Sequence, residues 1–205
     1  MIDNKIYNED DLFAAVEKYG ILTFWDETKL SAWTMSGVSF MKLWNIRERL
    51  INSKRVAYGK FANKKATFVS LSLFPALCAL RRDGYDFDSL SDEGLCPHRE
   101  SLVMDAVFAA NGEPVARYAL GKSLAMKGYD SVVDSLQNKT YLCMTFKKSM
   151  MGTALISTPE DIFGYDFVRS EYSTPTDKLV KTLSEAQGLC DFDEKTLGKI
   201  LSKAI

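Results

Sequence analysis

The sequence is poor in the residues that build metal sites, and it has no long apolar run. It contains one histidine, His98, and four cysteines, none of which forms a C-x-x-C pair. Structural zinc sites normally combine four such ligands, so the sequence predicts no metal site and no cofactor. No apolar run approaches the roughly 20 residues that a membrane-spanning helix needs, and we therefore expect no membrane association.

The amino terminus, MIDNKIYNEDDLF, is polar and acidic. A secretory signal peptide has a basic start and an apolar core instead, so we expect a cytoplasmic location. Because thiols stay reduced in that compartment, we expect no disulfides among Cys78, Cys96, Cys143 and Cys190.

Charge is distributed unevenly along a chain whose net charge is −1. The segment from Ile46 to Lys65 contains seven basic residues and a single acid, Glu48. Such a concentration is compatible with phosphate binding, and it is equally compatible with a solvated face.

The middle of the chain has the element order of a winged helix-turn-helix. Three segments carry apolar residues at helical spacing, and two later ones are rich in β-forming residues. These five segments lie at residues 98–110, 115–126, 129–138, 140–146 and 153–157. In the winged-helix fold the third helix is the candidate reader of a DNA major groove.

Further elements are predicted on both sides of this region, which gives an α+β fold. Asn8 is a candidate N-cap for a first helix, and residues 54–70 predict a β-hairpin with a basic tip at Lys60–Lys65. The acidic, turn-rich residues 83–97 predict a solvated linker. After residue 165, short amphipathic helices either fold back on the body or cover a partner, such as a second copy of the chain.

These elements predict three parts along the chain. Residues 1–92 form an N-terminal helical and β-hairpin region, residues 93–165 form the winged helix-turn-helix, and residues 166–205 form a helical tail.

The predicted third helix carries carboxylates where a groove reader would meet phosphates. With Val132, Val133 and Leu136 turned inward, Asp130 and Asp134 are left outward, which is repulsive towards DNA. We therefore expect the hairpin tip to contribute more to any binding of double-stranded DNA than this helix does. The basic residues predicted to contact nucleic acid are Lys54, Arg55, Lys60, Lys64, Lys65, Lys139, Lys147 and Lys148.

Aromatic residues in the first half of the chain have two interpretations. They form either a surface on which bases stack or part of the hydrophobic core. The residues concerned are Trp25, Trp33, Trp44, Tyr58, Phe61 and Phe68.

Three stretches of the sequence resemble one protein family. They are RVAYGKFANKKATFVSLSLFPALCALRRDGYDFD, PHRESLVMD and YDSVVDSLQNKTYLCM, the last followed by STPED. Over roughly Lys54 to Asp161 the chain resembles the bacterial proteins described as AlkZ-related, a branch near the AlkZ-type winged-helix DNA glycosylases. The resemblance implies a cytoplasmic winged-helix protein with a link to DNA.

The resemblance does not carry a catalytic residue with it. Glycosylases of that superfamily use Gln-x-Gln or Gln-x-Asp in their N-terminal half, where a side chain positions water or stabilises charge beside the excised base. This chain has no glutamine before Gln137, and Gln137-Asn138-Lys139 keeps only the first residue of such a motif. The leading hypothesis is therefore a DNA-associated protein without catalysis. A glycosylase that uses other residues and a protein-interaction module are the alternatives.

Overall fold

The computed structural model describes residues 5–26, 30–62, 64–147 and 153–204. Within these ranges the helices are α1 (Glu9–Tyr19), α2 (Phe40–Asn52), α3 (Phe74–Arg82), α4 (Phe87–Asp92), α5 (His98–Phe108), α6 (Arg117–Leu124), α7 (Tyr129–Asn138), α8 (Pro159–Phe163), α9 (Tyr165–Arg169), α10 (Thr176–Ser184) and α11 (Glu194–Ile200). The strands are β1 (Ile21–Thr23), β2 (Val56–Ala62), β3 (Lys65–Ser70), β4 (Val115–Ala116), β5 (Cys143–Lys147) and β6 (Thr153–Ser157). Helices and antiparallel sheets together make an α+β fold, as the sequence predicts.

The strands form two antiparallel sheets of three strands each. The first has the order β1-β3-β2 and the second the order β4-β6-β5. Strands β2 and β3 are the hairpin predicted over residues 54–70, with Tyr58 opposite Phe68. Ala62 pairs with Lys65, and Lys64 adopts a left-handed backbone with φ of 66°.

Local capping fixes the start of several helices. The Asn8 side chain accepts a hydrogen bond from the Asp11 N–H at 3.0 Å, and the Asp11 carboxylate accepts one from the Asn8 N–H at 3.2 Å. This reciprocal capping box satisfies two amide groups that have no partner within the helix. Thr158 caps α8 through the Asp161 N–H at 3.1 Å. The start of α1 at Asn8 is confirmed as predicted.

The helix predicted over residues 115–126 is wrong at its beginning. Val115 and Ala116 form strand β4, which pairs with Ile156 and Leu155 of β6. Helix α6 starts only at Arg117. The apolar pattern did not distinguish two paired residues from the first turn of a helix, because the sheet partner lies 40 residues away.

The acidic segment 83–97 is not a solvated linker, and that prediction is wrong. It contains helix α4, whose Phe87 and Leu90 are buried. The Phe87 ring packs edge-on against Tyr141, with ring centroids 5.3 Å apart. Two apolar residues at helical spacing are enough to dock this short helix on the middle of the chain, despite four neighbouring acids.

The buried apolar side chains of the described residues form three clusters. One cluster contains side chains from all three predicted parts of the chain. It contains Phe61 and Phe74 from the first part, Cys143 from the second, and Leu183 and Ile200 from the tail. The division into three parts stays a prediction. The tail itself folds back on the chain, so its apolar face is covered internally, which removes the reason for expecting a partner or a second copy there.

Among the described residues, no helix combines the length and the apolar character needed to cross a bilayer. The four cysteines are free thiols, and Cys78 and Cys143 are buried.

Candidate nucleic-acid interface

Helix α7, the predicted reader of a DNA groove, packs against strand β2. The main-chain N–H of Lys60 donates a hydrogen bond to Gln137 Oε1 at 2.9 Å, and Gln137 is fully buried. Gly59 permits this approach, because a Cβ at that position would lie 3.3 Å from Gln137 Oε1 and 2.8 Å from the Phe61 ring. The middle of α7 therefore faces the first sheet, while Val132, Val133 and Leu136 face inward as predicted.

Asp134 does not face outward, and that prediction is wrong. Its carboxylate lies between Lys60 Nζ at 2.7 Å and the Arg117 guanidinium at 3.1 Å, and its side chain is only 12% exposed. Arg117, at the start of α6, also contacts Asp130 at 2.8 Å. Asp130 is outward as predicted, with a side chain 81% exposed. Asp134, which the sequence analysis expected to repel DNA, is therefore already paired with two cations of the same chain.

Half of the eight predicted contact residues are held in ion pairs. The pairs are Arg55 with Asp10 at 3.0 Å, Lys60 with Asp134 at 2.7 Å, Lys139 with Glu100 at 3.0 Å, and Lys65 with Asp26. Solvent-exposed ion pairs contribute little to stability, and either partner can exchange its contact for solvent or a ligand. This applies to the pair of Arg55 and Asp10, whereas the carboxylates that hold Lys60, Lys65 and Lys139 are enclosed.

Lys54 and Lys64 are the predicted contacts with the most accessible charge. They lie exposed at opposite ends of the β2 strand, both with a left-handed backbone, at φ of 58° and 66°. Within the part of the chain that the structure describes, neither forms an ion pair. Lys147 ends strand β5, and Lys148 lies outside the described residues.

A groove of about 450 Å³ opens between the β2–β3 turn, helix α7 and the C-terminal segment. Its basic lining residues are Lys64, Arg81, Lys199 and Lys203. Arg81 lines the groove although the residue is only 2% exposed. Lys203 is paired with Asp83 at 2.6 Å. Of these four residues, sequence analysis had singled out Lys64 alone.

The six aromatic residues divide between the two interpretations. Tyr58, Phe61 and Phe68 are buried and belong to the core. Trp44 lies partly buried beneath the Arg47 guanidinium, 3.6 Å from its ring centroid. Trp25 and Trp33 instead form an exposed stacked pair, with centroids 4.4 Å apart and ring planes 22° apart. Only this pair remains available for stacking on a base.

The family model described as AlkZ related matches residues 6–202. The chain belongs to the AlkZ-related family. The match reaches beyond the Lys54–Asp161 resemblance at both ends, so it includes helix α1 and the tail. Neither a curated protein nor a solved structure matches the chain.

In this AlkZ-related protein the only glutamine of the partial catalytic motif is unsuited to chemistry. Gln137 is fully buried, and its Oε1 is occupied by the Lys60 N–H. A general base or a water-positioning group must reach the reacting atoms, which a side chain enclosed between α7 and β2 does not do.

A second cavity, of about 200 Å³, lies beside Arg82. The Arg82 guanidinium donates to the Thr140 carbonyl at 2.6 Å, to Tyr172 Oη at 2.8 Å and to Glu160. Its Nε donates to the Thr140 hydroxyl at 3.2 Å. With these donors occupied by the protein, Arg82 ties α3 to the loop after α7 and to the tail, which is a structural role.

Proposed function

We propose that the protein is a winged-helix nucleic-acid-binding protein that does not excise bases. The observation that carries this proposal is the order and pairing of the elements between residues 98 and 157. Helix α5, strand β4, helices α6 and α7 and the β5–β6 hairpin follow one another, and β4 pairs with β6. This order supports the winged-helix assignment, and helix-turn-helix domains bind duplex DNA through a helix in the major groove. Membership of the AlkZ-related family adds support.

The proposed contact surface lies on the hairpin and not on the middle of α7. A helix that packs on β2 does not enter a major groove unless that contact opens. Lys54 and Lys64 supply accessible charge, and Arg55 can exchange its exposed partner Asp10 for a phosphate. Lys147, at the end of strand β5, and Lys148, which lies outside the described residues, would add further charge. Lys60, Lys65 and Lys139 contribute less, because their partners Asp134, Asp26 and Glu100 are enclosed.

Base excision is the less supported alternative, because nothing in the described residues replaces the missing glutamine motif. A protein-interaction role is also less supported, because the apolar face of the tail is covered by α3 and β2 of the same chain. A cytoplasmic location remains part of the proposal and is compatible with four free thiols.

The proposal is tested by binding of a labelled DNA duplex to the full chain, measured by fluorescence anisotropy between about 50 and 200 mM salt. We expect log K to fall linearly with log salt concentration, because counterions are released when phosphates are neutralised. Absence of binding at about 50 mM salt would contradict the proposal. A base-release assay on alkylated duplex, with protein in excess, separates binding from excision; released base would contradict the non-catalytic assignment.

A further inference from the structure

We propose that the groove between the β2–β3 turn, helix α7 and the C-terminal segment is a phosphate-binding site centred on the guanidinium of Arg81. We call it the Arg81 groove, defined by Lys64, Arg81, Ser131, Asn138 and Lys199 among its lining residues. This inference deepens the proposed function, and the assignment of a nucleic-acid phosphodiester as its ligand rests on that function.

Arg81 is a buried cation that has no carboxylate partner among the described residues. Its Nη2 donates to the Phe61 carbonyl at 3.1 Å, whereas its Nε has no hydrogen-bond partner. No carboxylate of the described residues lies within ion-pair distance of it. Burial lowers the pKa of the Arg81 guanidinium to about 10, so the group still carries its charge at neutral pH. A buried charge is normally paired or bound to a ligand.

The adjacent residue shows what a satisfied buried arginine looks like in this protein. Arg82 is as buried as Arg81, yet it donates to Glu160, Tyr172 and Thr140. The two arginines leave α3 in different directions, one towards a carboxylate and one towards the groove. The missing partner of Arg81 is therefore a property of the site and does not follow from burial of the α3 terminus in general.

The charge balance of the groove favours an anion. Four basic residues line it against one acid, Asp134. That carboxylate is already shared by Lys60 and Arg117, so it repels a ligand less than its formal charge suggests. Lys203 is likewise held by Asp83, which leaves Arg81 and Lys64 as lining cations that form no ion pair with a carboxylate of the described residues.

The types of donor in the groove point to phosphate. A phosphate has several acceptor oxygens and is recognised by arginine through paired N–H groups, supplemented by hydroxyl and amide donors. Ser131 and Asn138 on α7 provide such groups beside Arg81 and Lys64. A groove of about 450 Å³ that opens beside an exposed hairpin turn has room for one phosphate and its flanking sugars.

Inorganic phosphate and pyrophosphate are the first probes, titrated into the full chain and followed by calorimetry and by amide chemical shifts. We expect saturable binding, with shifts concentrated at Lys64, Ser131 and Asn138. Arg81→Met keeps an apolar stem of similar length and should abolish binding. Lys64→Asn suits the left-handed backbone and should weaken binding several-fold. Lys54→Asn removes the same charge from the same backbone conformation outside the groove and should leave binding unchanged.

Two results overturn the site. One is the absence of binding of both probes to the unaltered chain, and the other is equal weakening by Lys54→Asn and Lys64→Asn, which would indicate diffuse attraction. Loss of the near-ultraviolet circular dichroism of Arg81→Met would show that this variant does not fold. The double variant Lys64→Asn with Lys199→Gln then takes its place in the binding test. Its control is Lys54→Asn with Lys195→Gln, because Lys195 lies on the same helix as Lys199 but outside the groove.

A DNA duplex as the second probe separates the two proposals. Phosphate binding without duplex binding leaves the anion site in place and overturns both the phosphodiester assignment and the proposed function. Duplex binding that Arg81→Met leaves unchanged, in affinity and in salt slope, supports the proposed function and overturns this site as its contact. Loss of both ligands in Arg81→Met, with duplex binding retained in Lys54→Asn, is the result expected.

Discussion

Lys60 on strand β2 and Asp134 on helix α7 form an ion pair, with Nζ 2.7 Å from Oδ2. The pair joins the basic hairpin to the helix that winged-helix proteins use for groove contacts. Three residues further along α7, the buried Gln137 accepts the Lys60 main-chain N–H. The hairpin and the helix are thus one packed unit, and each neutralises part of the charge of the other.

Replacement of Asp134 by Asn should destabilise the protein and strengthen binding to DNA. Lys60 and Arg117 lose a shared carboxylate that is largely enclosed, which should cost about 1–3 kcal/mol after discounting for partial exposure. The same two cations become available to phosphates. Urea unfolding and anisotropy titration measure the two effects. Asp130→Asn is the control, since that side chain is mostly exposed and its loss should change stability by less than about 0.5 kcal/mol. Unchanged stability in Asp134→Asn would contradict the enclosed bridge.

Substitution of Gly59 by Ala tests the contact between β2 and α7. The added methyl would lie 2.8 Å from the Phe61 ring and 3.3 Å from Gln137 Oε1, so we expect a loss of about 1–3 kcal/mol from overpacking. Gly198→Ala is the matched control. It lies within α11 with nothing within 4 Å of the added carbon, so it should stabilise the chain by up to about 1 kcal/mol. Thermal unfolding of both variants measures the contrast, and equal effects would argue against the close packing.

Local signals in the sequence predicted individual elements well. The Asn8 cap and the bounds of α7 depend on neighbouring residues, and both agree with the structure. Strand β4 was missed because its identity depends on Leu155 and Ile156, far along the chain.

The sequence showed charged residues of the candidate site but not how they pair. Sequence position does not show that Asp134 meets Lys60, or that Lys65 meets Asp26, because those pairs join residues 74 and 39 positions apart. Arg81 was missed for a related reason. Arg81 and Arg82 look alike at the end of an apolar helix, and only the packing of α8 and β2 gives Arg82 the Glu160 carboxylate and Arg81 the Phe61 carbonyl.

The exposed pair of Trp25 and Trp33 should contribute to binding of single strands more than of duplexes. A base in a single strand can stack on an indole face, which contributes about 1–3 kcal/mol, whereas paired bases are already stacked. Trp25→Ala should therefore weaken binding of a single-stranded oligonucleotide and leave duplex binding nearly unchanged, as measured by tryptophan fluorescence and anisotropy. Tyr118→Ala, at another highly exposed aromatic residue, is the control. Equal loss for both strand types would contradict a stacking role.

Alkaline pH should destabilise the fold through the buried thiol of Cys78. Burial raises the pKa of this thiol from 9.0 to about 11, although the charge of Arg82 opposes the change. Because the folded-state pKa is the higher one, the unfolded chain loses the proton first as pH rises. The stability that this group contributes is therefore fully present below pH 9 and is lost progressively as pH rises towards 11. Urea unfolding between pH 8 and about pH 11 measures that loss, and Cys78→Ala should reduce its slope. Cys190→Ala is the control at an exposed thiol, and a slope that Cys78→Ala leaves unchanged would show that other groups, such as the buried Tyr58, whose pKa burial also raises, dominate the alkaline transition.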